Sequence, residues 1–310
     1  MVWTVVLFAV GLVLIIKGGD WFLDGAVWLA EATGIPRFVI GATVVSLSTT
    51  LPELTVSAMG VLQGETDMAV GNAVGSVTAN LGLILGVSAL FLPGKTDRRQ
   101  LALRAMLMLL AAALLLVLCG SGTLRSGEGW LLAAVFAAYL ALSLADAAGS
   151  RGEARRKPPK EELGRKLPRF AAGAAAILAG SQLLIRYGSR LALALGVPAG
   201  VVGVTLVAVG TSLPELTTTL TAIAKGESAL SVGNIVGANI IDLTLILPVC
   251  ALLSGGALPV GERTVGLDLP VLLTLGVAAF LPPLLRGRFS RWQGAALLGI
   301  YAGYVALLVA

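Results

Sequence analysis

The sequence predicts an all-α integral membrane protein with about ten transmembrane helices, arranged as two inverted five-helix repeats. Three observations lead to this fold class: the apolar composition, ten long apolar segments, and an internal repeat. Of the 310 residues, 57% are hydrophobic and only 13% are charged, and the mean hydropathy is +0.93. Soluble proteins carry about 25% charged residues. We therefore expect a multi-pass protein of the cell membrane, in contact with the lipid bilayer.

The same composition excludes several chemistries. The chain has no histidine, and its two cysteines, Cys119 and Cys250, lie in apolar runs without a zinc or redox pattern. The net charge of +5 is explained by loops that face an anionic leaflet, so we expect no nucleic acid partner. No resident cofactor is predicted.

Ten segments are apolar and long enough to span a bilayer, which takes about 20 residues. They lie at 2–30, 36–61, 68–92, 101–119, 129–147, 168–194, 198–223, 229–253, 266–285 and 292–309. We expect the first segment to be a membrane helix and not a cleaved leader. The division predicted is an N-terminal repeat (1–148), a basic linker (149–167) and a C-terminal repeat (168–310).

Basic residues predict the orientation of the chain. The stretch "GSRGEARRKPPKEELGRKLPR" at 149–169 is rich in lysine and arginine, which places the linker in the cytoplasm. Alternation through the spans puts two other basic loops, at 95–99 and 286–291, on the same side. Both termini are then expected outside.

The internal repeat is the strongest signal in the sequence. When the chain is shifted by 162 residues, positions 34–86 fall on 196–248 without a gap, and 23 of these 53 pairs are identical. Because each half has five spans, an odd number, the second copy enters the membrane from the opposite side. Secondary transporters with such inverted repeats bind substrate near the midplane, where broken helices meet. Channels can share this symmetry, so the repeat alone leaves the mechanism open.

A proline and a glutamate recur inside an apolar segment of each half, in "SLSTTLPEL" (46–54) and "AVGTSLPEL" (208–216). Pro52 and Pro214 are expected to break their helices and to free main-chain carbonyls around 46–48 and 208–210. A simple kink would explain one such proline. Two matched prolines, each beside a carboxylate and hydroxyls, favour an ion site.

Glu53 and Glu215 are ionisable groups inside membrane spans and are therefore candidates for function. The alternative is a buried ion pair, but neither helix carries a basic residue in its central part. Hydroxyl side chains accompany both glutamates, and oxygen donors without thiol or imidazole suit hard cations such as Ca²⁺ or Na⁺. These hydroxyls belong to Ser46, Ser48, Thr49, Thr50, Thr55, Thr211, Ser212 and Thr217.

The following segment of each repeat supplies a second polar set, in "GNAVGSVTAN" (71–80) and "GNIVGANIID" (233–242). Asn72, Ser76 and Asn80 recur every four residues, so they share one helical face that can look toward the glutamates. Asn234, Asn239 and Asp242 are the polar residues of the second copy. Asn72 and Asn234 either cap freed main-chain groups or contact the ion.

Together, "TTLPEL…GNAVGS" and "GTSLPEL…GNIVGANIID" resemble the two alpha-repeats of the cation/calcium exchanger superfamily, and in particular the prokaryotic sodium/calcium antiporters. The motifs occupy 37–86 and 199–248, and the resemblance covers nearly the whole chain. It implies a membrane antiporter that exchanges Ca²⁺ for Na⁺, and not an enzyme. Proton-coupled or potassium-dependent Ca²⁺ exchange is the alternative within the superfamily.

The resemblance also implies which residues bind the ions. Glu53 and Glu215 would bind both cations, and Asn80 and Asp242 would complete the site at its equator. Oxygen atoms for the calcium site would come from Thr49 and Thr211. The flanking sodium sites would use Thr50, Ser212, Ser76 and the main-chain carbonyls of Ser46 and Ala208.

This chain departs from the family pattern at a few positions. Ala238 stands opposite Ser76 where family members usually have a hydroxyl, which affects one sodium site. Proton/calcium exchangers typically carry a glutamate in each "GN" segment, and its absence here favours Na⁺.

Two other functional classes compete with the antiporter. A cation channel would use the same carboxylates in a continuous pore. A membrane enzyme would use Glu53 and Glu215 as an acid/base pair, but no Cys/His or Ser/Lys arrangement accompanies them.

Overall fold

The structure is a computed structural model that describes residues 2–149, 160–195 and 208–309. Nearly all of these residues are helical, which confirms the predicted all-α class. The helices are α1 (Val2–Thr33), α2 (Arg37–Thr49), α3 (Leu51–Leu62), α4 (Thr66–Ala79, continuing to Phe91), α5 (Arg98–Leu118), α6 (Ser126–Gly149), α7 (Lys160–Ala194), α8 (Ala208–Thr211), α9 (Leu213–Lys225), α10 (Ser228–Leu253), α11 (Thr264–Arg286) and α12 (Arg291–Val309).

Within the described ranges, seven helices are long and apolar enough to cross a membrane, and an eighth span results if α2 and α3 are taken together. The chain is therefore a multi-pass membrane protein. The full set of ten spans stays a prediction. Residues 198–207 of the seventh predicted span, 198–223, lie outside the described residues, and α12, at the tenth predicted span, is not among the seven helices counted.

Helix α7 begins earlier than the sequence predicts. It starts at Lys160 and so extends into the expected linker 149–167, with Pro168 inside the helix. The side chain of Glu162 in this extension accepts a hydrogen bond of 3.1 Å from Trp28 Nε1 on α1. This tertiary contact helps to hold the early turns of α7 against α1. Residues 150–159 of the linker lie outside the described part of the chain.

Helices α1 and α7 pack against each other along much of their length, through small residues. A Cβ added to Gly18 would lie 2.9 Å from the carbonyl oxygen of Gly173, and a Cβ at Gly180 would lie 2.8 Å from that of Gly11. Farther along, the Phe22 and Phe170 rings stack with their centroids 4.6 Å apart. Close backbone approach of this kind is typical of helix pairs in membranes.

Helices α4 and α10 form the centre of the molecule and are the most deeply buried of the long helices. Their apolar side chains join the core cluster together with those of α5 and α11. The two repeats also meet in a small antiparallel sheet, in which β1 (Thr123–Arg125) pairs with β2 (Ala257–Pro259). The elements that carry the repeated motifs therefore lie against one another inside the bundle.

A buried cation joins α5 to α6. The Arg104 side chain is fully buried, and its guanidinium donates to Asp146 at 2.8 Å and to Ser143 at 3.4 Å. It also lies over the Phe38 ring of α2, 5.3 Å from the centroid. This contact was not predicted, because Arg104 lies near the end of an apolar segment where a side chain can equally turn outward to water.

Candidate cation site

The first predicted helix break is present. Helices α2 and α3 are bent by 42° at Thr50, and Pro52 occupies the first turn of α3. The amide that Pro52 lacks is the one that would have bonded to the carbonyl of Ser48. In the second repeat α8 ends at Thr211 and α9 begins at Leu213, so that Pro214 takes the matching place in α9. A helix break therefore lies beside each glutamate.

The main-chain carbonyl of Ser46 is hydrogen-bonded and not free, contrary to the prediction. It accepts a hydrogen bond of 2.9 Å from the Thr50 amide and one of 2.6 Å from the Thr50 hydroxyl. The prediction that the break frees this carbonyl is wrong, because Pro52 removes only the amide that would reach Ser48. The matching Ala208 lies at the start of α8, at the edge of the described residues.

Three acidic side chains are buried at the centre of the bundle. Glu53, Glu215 and Asp242 are each no more than 1% exposed. Neither glutamate forms an ion pair with a lysine or arginine of the described ranges, and no hydrogen bond of ordinary geometry from these ranges reaches their carboxylate oxygens. The charges of the three groups are close enough to interact with one another. An uncompensated carboxylate in such surroundings is costly, so these groups favour a cation.

Acidic residues alone do not complete a metal site in the described part of the chain. No three side chains of the acidic, cysteine or histidine type lie close enough there to hold one metal ion. A cation bound at Glu53 and Glu215 would therefore also need hydroxyl, amide or carbonyl oxygens. Such oxygens are the ordinary ligands of Ca²⁺ and Na⁺.

The hydroxyl residues of each repeat approach the opposite repeat. Thr49 and Thr50 of α2 lie near the carboxylate of Glu215. On the other side, the Thr211 hydroxyl lies 3.4 Å from the Ser76 hydroxyl of α4. The hydroxyl of Ser212 is buried and has no hydrogen-bond partner among the described residues.

Asn72 and Asn234 connect these hydroxyls to the rest of the site. The Thr211 hydroxyl donates to Asn72 Oδ1 at 3.2 Å, and the Thr49 hydroxyl approaches Asn234 Oδ1 at 3.3 Å. Asn72 Nδ2 donates to the carbonyl oxygen of Glu53 at 3.2 Å. Asn72 therefore bonds to a main-chain carbonyl, but that of Glu53 lies within α3 and is not one of the carbonyls that the helix break was expected to free.

Asn80 and Asp242, which are matched in the repeat, share a backbone feature that was not predicted. Each begins a π-helical stretch, Asn80–Ile84 in α4 and Asp242–Ile246 in α10. Such local widening is frequent at functional sites. The Asn80 amide also donates to Asn239 Oδ1 at 3.0 Å, which leaves Asn80 Oδ1 without a partner in the described ranges. In the sequence, the only indication of a shared role for Asn80 and Asp242 is that they occupy matched positions of the repeat.

Comparison with known proteins agrees with this architecture. A family model described as "Sodium/calcium exchanger protein" matches residues 3–145 and 167–310. The sodium/calcium exchanger MaX1 of Methanosarcina acetivorans is 29% identical over 96% of each chain. The inner membrane protein YrbG of Escherichia coli is 33% identical over 81% of this chain and 80% of its own.

A solved structure extends the likeness to three dimensions. The structure of the sodium-calcium exchanger NCX_Mj soaked with 10 mM Na⁺ and no Ca²⁺ aligns with a TM-score of 0.86, at 30% identity, and the alignment covers 98% of both chains. The family match includes both predicted motifs and both buried glutamates. This chain therefore belongs to the sodium/calcium exchanger family of membrane antiporters.

Proposed function

We propose that this protein exchanges Ca²⁺ for Na⁺ across the membrane, at one site built around Glu53 and Glu215. The observation that carries the proposal is the pair of buried carboxylates, one from each repeat, whose oxygens find no base and no ordinary hydrogen bond in the described ranges. Hydroxyl residues of the opposite repeat support it at Glu215, because Thr49 and Thr50 lie near that carboxylate.

The charges of the site suit one Ca²⁺ ion. Two ionised glutamates balance its two positive charges, and Asp242 adds a third carboxylate that is ionised or protonated. Na⁺ ions would use the same oxygens in another arrangement, so that the two cations compete for charge and for space. The further ligands proposed are Thr49, Thr50, Ser76, Asn80, Thr211, Ser212 and the carbonyl of Ala208. The carbonyl of Ser46 could join them only by giving up the bond that it accepts from the Thr50 hydroxyl.

Competition gives exchange if the site opens to one side of the membrane at a time. An empty site would leave two carboxylates uncompensated in a medium of low dielectric constant, which is costly. The empty protein would then change sides slowly, and Ca²⁺ would move outward only when Na⁺ replaces it.

Helices α1 and α7 are the proposed moving pair. Their close packing through glycines supports movement as a unit. Polar contacts at one end of the pair join it to the helices of the site. Lys225 at the end of α9 pairs with Asp20 and Asp24 of α1 at 3.2 and 2.8 Å, and Arg37 of α2 pairs with Glu31 of α1 at 3.2 Å. Such exposed pairs contribute little to stability and can break during a transport cycle.

The proposed location is the cytoplasmic (inner) membrane, with both termini outside and the linker 149–167 in the cytoplasm. The three basic loops support this orientation. The name of the similar YrbG protein, an inner membrane protein, agrees with it.

Uptake of radioactive Ca²⁺ into vesicles that contain the purified protein tests the proposal. Loaded Na⁺ should drive uptake in the wild type, whereas Glu53→Gln and Glu215→Gln should each reduce it to the rate of empty vesicles. Uptake driven by H⁺ would identify H⁺ as the coupling ion in place of Na⁺. Uptake that occurs only with K⁺ present would indicate potassium-dependent exchange. Uptake without any counter-ion would indicate a channel. Robust exchange by both variants would refute the site.

A further inference from the structure

We propose that Asn72 and Asn234 are positioning residues, each of which joins the glutamate of its own repeat to the threonine of the other repeat. The inference rests on the proposed function, because the threonines and glutamates concerned are its cation ligands. It assigns to the asparagines the orientation of those ligands and no contact with the ion itself.

The first step is the geometry of the threonine hydroxyls. A hydroxyl has one proton to donate and two lone pairs, so it offers both lone pairs to a cation only when its proton points to another acceptor. Asn72 Oδ1 accepts from Thr211 at 3.2 Å, and Asn234 Oδ1 lies 3.3 Å from the Thr49 hydroxyl. Asn72 thus takes the proton of Thr211, whereas the Thr49 hydroxyl divides its donation between Asn234 Oδ1 and the Ser46 carbonyl of its own helix, which lies 3.2 Å away.

The second step is the orientation of the Asn72 amide. Its Nδ2 donates to the carbonyl oxygen of Glu53 at 3.2 Å and to the Ser57 hydroxyl at 3.0 Å. If the amide were turned over, two acceptor oxygens would face each other at Glu53, which is unfavourable. The Glu53 main chain therefore fixes Oδ1 toward Thr211.

The third step is the Asn234 amide, which is fixed through a relay. The Thr218 hydroxyl donates to the carbonyl oxygen of Glu215 at 2.9 Å, so its proton is committed and its oxygen can only accept. Asn234 Nδ2 donates to that oxygen at 2.9 Å. Asn234 is therefore connected to Glu215 through Thr218, as Asn72 is connected directly to Glu53.

The two connections run crosswise between the repeats. A shift of either asparagine moves a glutamate on one side of the site and misdirects a threonine on the other. Both halves of the cation site are thus set together, and neither repeat orients its own ligands alone. Loss of one asparagine should weaken ion binding through the threonine of the opposite repeat.

Double-mutant cycles test this crossing. The pairs Asn72→Ala with Thr211→Val and Asn234→Ala with Thr49→Val are predicted to be coupled. Each asparagine substitution alone should raise the half-saturating Ca²⁺ concentration of exchange about tenfold, since a net hydrogen bond contributes about 1 to 1.5 kcal/mol and 1.4 kcal/mol is tenfold. In the background of the coupled threonine variant, the same substitution should add about threefold or less.

The uncrossed pairs provide the matched control. Asn72→Ala with Thr49→Val, and Asn234→Ala with Thr211→Val, should combine to the full product of their single effects, because these side chains share no hydrogen bond in the described part of the chain. Thr78→Val removes an equally buried hydroxyl that bonds only within α4, to the Val74 carbonyl, and should leave the affinity unchanged.

Equal effects in the crossed and uncrossed pairs would overturn the inference, and so would normal affinity in both asparagine variants. If a variant of one repeat does not fold, as judged by its melting temperature in detergent, the pair in the other repeat gives the same test. Wild-type vesicles without Na⁺-driven Ca²⁺ uptake would instead refute the proposed function, so the two failures are distinguishable.

Discussion

The residues of the two repeats are not identical in the site, and Ala238 marks the clearest difference. On one side, the Ser76 hydroxyl lies 3.4 Å from Thr211. On the other side, the matching position is the fully buried Ala238, which has no oxygen to offer. One of the proposed flanking sodium positions therefore lacks a ligand that its counterpart possesses.

Restoring this hydroxyl should strengthen sodium binding. We expect Ala238→Ser to lower the half-saturating Na⁺ concentration for exchange about threefold to tenfold, because one added ligand contact contributes about 0.5 to 1.5 kcal/mol. Half-saturation by Ca²⁺ should change less. The measurement is Na⁺-dependent release of Ca²⁺ from loaded vesicles over a series of Na⁺ concentrations.

Ser76→Ala is the matched control for this prediction, because it removes the hydroxyl from the side that has one. It should raise the half-saturating Na⁺ concentration. An Ala238→Ser protein that folds normally and responds to Na⁺ as the wild type does would contradict a sodium position beside Ala238.

The repeat made the glutamates visible in the sequence, but it could not reveal all their neighbours. Glu53 and Glu215 lie in matched motifs that contain no basic residue. The sequence pattern alone is enough to detect this. The contact of Asn80 with Asn239 has no counterpart, because the position that matches Asn239 is Val77. The carbonyl of Ser46 accepts the ordinary helical bond from the Thr50 amide, which Pro52 does not remove, and a second bond from the Thr50 hydroxyl, whose rotation the sequence does not specify.

Among the helical elements, the break between α2 and α3 gives the first half of the site its shape. Pro52→Ala would restore the amide that can bond to the Ser48 carbonyl and so favour a straight helix. We expect the rate of exchange to fall about tenfold, which corresponds to about 1.4 kcal/mol of lost ion stabilisation. The thermal stability of the protein should not fall. Vesicle uptake and a melting curve in detergent measure the two quantities.

Pro282→Ala serves as the control for that substitution, because Pro282 lies inside α11, which contributes no proposed ligand. It should leave the exchange rate near that of the wild type. A Pro52→Ala protein with an undiminished rate would show that the 42° bend is not needed for ion binding.

The buried pair between α5 and α6 has a role in stability that can be separated from transport. Arg104→Ala removes a fully buried guanidinium from Asp146 and from the Phe38 ring, and should destabilise the protein by about 3 kcal/mol. Arg99→Ala, at an exposed position of the same helix, should have little effect. The measurement is the melting temperature of each purified protein in detergent, and equal values for the two variants would contradict the prediction.

Helix positions followed from the apolar segments, whereas their fine structure did not. Length and hydropathy located the spans of the described residues, and Pro52 located the bend. The π-helical stretches at Asn80 and Asp242 were not predicted, because a widened turn depends on packing between helices and has no characteristic composition. The early start of α7 involves a tertiary contact of Glu162 with Trp28, which a linear pattern does not contain.

For the molecule as a whole, two similar halves enclose a small set of buried polar groups. Each half supplies a glutamate, and the hydroxyls of one half face the other. The charges of Glu53, Glu215 and Asp242 interact with one another, so a cation bound at any one of them affects binding at the others. A single shared site predicts that the two cations exclude each other at equilibrium, before any transport occurs.

Calorimetric titration of the purified protein with Ca²⁺, at several fixed Na⁺ concentrations, tests this shared site most directly. We predict saturable binding of one Ca²⁺ per chain, an apparent affinity that falls steadily as Na⁺ rises, and no binding in Glu53→Gln or Glu215→Gln. Ca²⁺ binding that is unaffected by Na⁺, or that persists at full affinity in both variants, would contradict it.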